Sequence, residues 1–216
     1  MTLETDQIAR LLEPFALALD QQQLESTSRY LNLLMRWNRA VNLTAVRKPE
    51  DVVTRHFGES LYLTKFAELS GSLLDVGSGA GFPGLAIKIM RPETRIVLLE
   101  PVAKKRAFLK EVSRECGFRH VEVSGERVEQ FSLTHDDGFE SVTLRAVGDL
   151  ASVLAAVSRC LAASGVVYAW LTAAEVARLS ATVADFSRLF IWAEPIKVPL
   201  SRDREIWVGR RRECST

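Results

Sequence analysis

The sequence predicts a doubly wound α/β fold, a mostly parallel sheet with helices on both faces, preceded by a helical extension and closed by an antiparallel C-terminal hairpin. Three observations predict it. The apolar run Leu73 to Val76 ends in a glycine-rich turn, Gly77-Ser78-Gly79-Ala80-Gly81-Phe82-Pro83-Gly84, as a strand does when it feeds a ligand-binding loop at its carboxyl end. From there strand-like and helix-like stretches alternate, which specifies a parallel sheet covered by helices. Finally, two β-rich runs near the end, Ile191 to Val198 and Glu205 to Gly209, are joined by a loop holding Pro199, Ser201 and Asp203, which predicts a hairpin.

Taken in order, residues 1–66 read as the helical extension, with Leu24, Leu31, Leu34 and Met35 recurring at three- and four-residue steps. Residues 67–216 form the sheet domain. After Leu73 to Val76 come a helix from Phe82 to Met90, with Pro83 suited to its first turn, and a second strand, Arg95 to Leu99. That strand is apolar after Arg95, as a parallel strand buried on both faces should be. A helix over Ala103 to Cys116, a strand over His120 to Val123, a strand over Phe139 to Arg145 and a helix over Leu150 to Ala162 follow. Val166 to Leu171 is the fifth strand, and a helix from Ala173 to Arg188 leads to the hairpin.

Composition narrows the field. With 216 residues, 47% of them hydrophobic and 25% charged, the chain buries a full α/β core. Its net charge of +1 gives no overall basic field, so any nucleic-acid contact must rest on local patches. Cys116, Cys160 and Cys214 lie far apart, lack metal-ligand spacing and leave an odd one over for disulfides, which points to a reducing cytoplasm. Acids at Glu4 and Asp6, and no apolar run of membrane-spanning length, predict a soluble protein without a membrane partner.

The surroundings of the glycines decide the ligand. Gly79 to Gly84 satisfies the G-x-G-x-x-G pattern of dinucleotide folds, but that pattern alone is weak, and counted from Gly77 its third glycine position holds the bulky Phe82. The register Asp75-x-Gly77-x-Gly79-x-Gly81 looks instead like motif I of methyltransferases that use S-adenosylmethionine (SAM). Glycines there admit positive φ and let the backbone approach a ligand. Asp75 is expected near the cationic amino acid end of the cofactor, directly or through water. Glu100 ends the second strand about twenty residues beyond the loop, the spacing at which an acid accepts hydrogen bonds from ribose hydroxyls. Its plainer reading is a strand end or a helix cap.

Several further motifs stand in order along the chain: Asn42-Leu43-Thr44, Arg55-His56, the proline-bearing glycine loop, Lys104-Lys105-x-x-Phe108-Leu109, Arg127-Val128-Glu129 and Arg145-Ala146. Together they resemble the RsmG (GidB) family. The resemblance implies a SAM-dependent methyltransferase acting on a guanine N7 in 16S ribosomal RNA of the small subunit. No metal is expected, since no ligands stand at metal spacing, and the chain is expected to work as a monomer. It implies a cofactor site using Gly77, Gly79, Phe82, the Val128-Glu129 pair and Arg145, to which the register and ribose arguments add Asp75 and Glu100. Arg127 and Arg145 become the catalytic candidates, contacting guanine O6, a phosphate or the cofactor carboxylate. A bidentate grip on O6 and N7 would block the nucleophilic lone pair. Phe82 is the candidate for stacking on an exposed base.

Plainer readings stand beside these. Val128 suits the buried face of a short helix, Arg145 an ion pair, His56 a hydrogen-bonded structural role, and Trp37 and Trp192 core positions. Lys104, Lys105, Arg106 and Lys110 form either a solvated helix face or a phosphate contact, and Arg210 to Arg212 read as a charged tail. The chain also departs from the family: Tyr168-Ala169-Trp170-Leu171-Thr172 lacks a lysine, Leu144 replaces a serine, Glu140 an aspartate, and Glu59 stands before Ser60 in place of aspartate. These changes fall on the substrate side. They leave open a SAM methyltransferase with another RNA or small-molecule target, and a SAM-binding ribosomal interaction protein with weak activity.

Overall fold

A parallel strand with apolar side chains on both faces needs a helical layer on each side. The computed structural model, which describes residues 3–135, 138–180 and 189–212, has both layers. Its strands are β1 (Ser72–Val76), β2 (Arg95–Leu99), β3 (Val121–Ser124), β4 (Phe139–Arg145), β5 (Leu161–Thr172), β6 (Phe190–Trp192), β7 (Ile196–Lys197) and β8 (Arg204–Arg211). They lie in the order β3-β2-β1-β4-β5-β8-β6, with β7 also paired to β8. The first five are parallel and β8 returns antiparallel to β5. Strand order reverses beside β1, the switch point at which such sheets bind ligands.

The extension supplies α1 (Thr5–Leu12), α2 (Gln21–Val41), α3 (Pro49–Val52), a π-helical turn (Val53–Gly58) and α4 (Glu59–Leu61). α2 starts on a capping box, in which the Asp20 carboxylate accepts from Gln23 N while the Gln23 amide oxygen accepts from Asp20 N. Leu24, Leu31 and Leu34 lie on its buried face, as their spacing predicts. The remaining helices are α5 (Gly84–Met90), α6 (Ala103–Glu115), α7 (Val128–Thr134), α8 (Leu150–Cys160) and α9 (Ala173–Ser180).

Two cores result. The extension, α5 and α6 pack with Leu73, Ile96, Leu98, Tyr168 and Trp170 on one face of the sheet. On the other, α7 and α8 pack with Leu74, Val97, Leu99, Leu144 and Leu171. The period of two therefore assigns every strand residue a side: Asp75, Thr143 and Arg145 belong with the extension, Leu144 and Leu171 with α8.

The structure corrects four boundaries. α5 begins at Gly84, with Pro83 just outside it. β5 starts at Leu161, but its register against β4 shifts between Phe139 and Ser141, so regular pairing begins at Val166 as expected. The run Ile191 to Val198 divides into β6 and β7 around Pro195, which has no N–H to donate to a ladder, and both pieces pair with β8. Arg210 and Arg211 belong to β8 and are no loose tail; Arg211 donates to Leu161 O. The expected helix to Arg188 is present to Ser180, and its last turns, like Cys214, lie outside the described residues.

Candidate active site

β1 delivers the chain to the glycine loop at the carboxyl end of the sheet. Gly77 N and Ser78 N donate to Leu99 O at 2.8 and 3.0 Å, which ties the loop to the end of β2. Gly77 (φ 71°) and Gly79 (φ 57°) occupy the left-handed region, where a side chain is strained. Glu100 is only 4% exposed. One oxygen accepts from Gly79 N at 2.9 Å and the other from Val102 N at 2.8 Å. A carboxylate offers about four acceptor positions, so each oxygen keeps capacity for a ligand hydroxyl.

Beside this loop lies a cleft of about 240 Å³ lined by Gly77, Glu100, Lys105, Arg127, Val128 and Glu129, with Ala146 to Gly148 closing one side. Sequence reasoning placed five of these residues at the site, and the fold brings them together. Val128 is buried at the start of α7, while Arg127 precedes that helix with its side chain exposed at the rim. The basic stretch divides: Arg106 donates to Glu100 O and Pro101 O, whereas Lys104 and Lys110 stand exposed and Lys105 reaches the cleft.

Three predicted site residues lie elsewhere. Asp75 is fully buried, its oxygens accepting from Thr143 Oγ1 at 2.7 Å and Gly84 N at 3.2 Å. Burial pushes its carboxyl up to about 6 despite those bonds. It fastens β1 to β4 and to the start of α5, and no oxygen faces the cleft. Phe82 lies parallel to Tyr30 and His56 at 5.2 and 5.0 Å between centroids and edge-on to Phe57, so its ring is a core element and no platform for a base. Arg145 turns to the extension face, donating to Ser60 Oγ at 3.1 Å, Arg55 O at 2.6 Å and Glu59 at 2.8 Å. Arg145 is 9% exposed, and its guanidinium is pulled down to about 10 by burial, with Glu59 opposing. The ion-pair reading is the one the fold adopts.

Sequence reasoning missed the rest of that cluster. Glu59 Oε2 also accepts from Arg204 at 3.1 Å, and Glu59 O accepts from Trp170 Nε1 at 3.0 Å. The signal was the hairpin itself, since a strand antiparallel to β5 must begin at the carboxyl end of the sheet, which puts Arg204 opposite Thr172. Leu171, where the resemblance leads one to expect a lysine, is buried in the core that α8 shares.

His56 fills the structural role expected of it. Its Nε2 and Thr44 Oγ1 share a hydrogen bond of 2.8 Å, and its Nδ1 is buried without a partner. Burial, reinforced by Arg145, lowers its pKa from 6.5 to about 3. The folded state thus refuses a proton that the unfolded state accepts, so stability present above pH 6.5 is lost as pH falls below it. Urea unfolding is expected to show a loss of up to about 1.4 kcal/mol per pH unit below that point, and His56→Asn a shallower slope. Equal slopes would show that His56 takes up its proton in the folded protein.

Among the described residues no three potential metal ligands group together, and no helix is long and apolar enough to cross a membrane. Residues 23–193 match the family model described as GidB, rRNA small subunit methyltransferase G. The chain is 38% identical over 200 residues to ribosomal RNA small subunit methyltransferase G of Roseiflexus sp. (strain RS-1), covering 90% of this chain and 86% of that protein. It is 41% identical over 159 residues to the protein of that name from Halorhodospira halophila, covering 73% and 74%. Among solved structures, a SAM-dependent methyltransferase from Aquifex aeolicus superposes with a TM-score of 0.60 at 14% identity, over 79% of this chain and 96% of that one.

Proposed function

The chain belongs to the rRNA small subunit methyltransferase G family, and from that premise we propose that it transfers a methyl group from SAM to N7 of a guanine in 16S ribosomal RNA. The observation that carries this reading is the cleft at the switch point, where the Glu100 carboxylate is held in place by Gly79 N and Val102 N beside a glycine turn that keeps side chains out. This cradle fits an adenosine. Glu100 accepts hydrogen bonds from the ribose hydroxyls, and Val128 with the backbone of Glu129 meets the adenine edge. Asp75 acts one step back, fastening β1, which leads into the loop, to β4 and to the start of α5, which follows it.

Bound SAM supplies a methyl group on a positively charged sulfur. The protein's own task is positioning, because guanine N7 carries a lone pair and no proton and needs no general base. Arg127, exposed at the rim, is the catalytic candidate that can meet O6 or a phosphate. Arg145 supports the site from the extension side through Glu59 and Ser60. We take the protein to act as a monomer in the cytoplasm on the small ribosomal subunit.

Incubation with labelled SAM and small subunits lacking the modification is expected to place one methyl group on a guanine N7. A methyl group at another atom would replace the proposed target. SAM binding without transfer would favour a ribosomal interaction protein.

A further inference from the structure

With Phe82 and Arg145 occupied in the core, the base needs another seat, and the fold supplies a cavity for it. A cavity of about 470 Å³ opens between the β4–α8 loop and α9, lined by Val147, Gly148, Asp149, Leu150, Glu175 and Arg178 among others. Its volume falls in the range of small-ligand sites. Val147 and Gly148 line both this cavity and the cofactor cleft, so the two adjoin at that loop. The loop between them starts at Ala146, a non-glycine residue at φ 54°, a costly conformation of the kind that collects at functional sites.

The polar groups select what the cavity takes. Glu175 is committed to the fold, its Oε2 accepting from Thr172 N at 2.7 Å and Thr172 Oγ1 at 2.8 Å. Asp149 is exposed and caps α8 through one oxygen, Oδ1, which accepts from Ser152 N at 3.3 Å. An ionised carboxylate only accepts hydrogen bonds. Guanine carries N7 on one edge and, on the edge away from it, the N1–H and N2 amino donors. Adenine presents a lone pair at N1 and has no 2-amino group, so the same carboxylate repels it.

We propose that this cavity seats the target guanine and that Asp149 reads its N1–H and N2 amino edge while N7 faces the cofactor cleft, an inference that rests on the methyltransferase reading above. Asp149 is then a specificity-determining residue. Asp149→Ser and Asp149→Asn both keep an oxygen for the α8 cap, so folding is preserved and urea unfolding confirms it.

Two measurements test the assignment. With the protein saturated by S-adenosylhomocysteine, equilibrium binding of guanosine, inosine and adenosine monophosphates is expected to favour guanosine by about tenfold, and Asp149→Ser to abolish that preference. Methyl transfer to unmodified small subunits is expected to fall about ten- to a hundredfold in kcat/KM for Asp149→Ser with SAM affinity unchanged. Equal binding of the three nucleotides by the wild type, or wild-type kcat/KM in the variant, overturns the proposal. A guanosine preference that depends on Asp149 in a protein that methylates no RNA upholds the cavity assignment and overturns the function proposed above.

Discussion

Glu59→Ala is expected to cost the fold about 3 to 5 kcal/mol, the loss typical when one partner of a buried ion pair is removed. Glu59 is buried and its Oε2 accepts from Arg145 at 2.8 Å and from Arg204 at 3.1 Å. Without it the Arg145 guanidinium keeps its bonds to Ser60 Oγ and Arg55 O but loses its paired carboxylate, with only the unbonded Asp75 left as a favourable charge, and burial already disfavours its charged form. Arg204, whose side chain is 29% exposed, would turn to water, so Arg145 bears most of the cost. Glu59→Gln keeps an acceptor without the charge and should fall between. The urea midpoint is the measurement, and a loss below about 1 kcal/mol in Glu59→Ala would show that the pair behaves like a solvated surface bridge.

Glu100→Ala is expected to weaken SAM and its demethylated product by about ten- to a hundredfold, the equivalent of losing hydrogen bonds to a charged acceptor worth about 1.5 to 3 kcal/mol. The structure gives the substitution a second route to the same result. Gly79 N and Val102 N lose their partner, so the loop loses its fixed shape as well as its ribose acceptor. Glu100→Gln separates the two contributions, because its amide can accept from only one of those donors. Calorimetry that returned wild-type affinity for Glu100→Ala would remove Glu100 from the site.

The sequence disclosed the elements whose signal is local. The glycine turn, the acid ending β2 and the alternation of strands and helices each depend on residues within one turn or one strand, and they fix the switch point and the cleft at Gly77, Glu100 and Val128. What it did not disclose is which face of the sheet receives the ligand. Asp75 was drawn to the cofactor by its register with the glycine loop, and Phe82 and Arg145 by the family resemblance, yet strand parity turns Asp75 and Arg145 toward the extension, and Tyr30 and His56 cover the Phe82 ring. Arg204 was missed because its partner Glu59 lies 145 residues away, a pairing that only the return of β8 beside β5 creates.

The contact between α2 and the glycine loop carries a thermodynamic consequence. Tyr30 Oη donates to Ala80 O at 2.5 Å while its ring lies on Phe82, so the loop's geometry is completed by a residue of the extension. Whatever free energy docking of α2 contributes to cofactor binding, cofactor binding must return to the docking of α2 in equal measure. Occupancy at the switch point and order in the first third of the chain are in this sense one equilibrium, and a chain trimmed back to its sheet domain would lose the brace of its cofactor loop along with its helices.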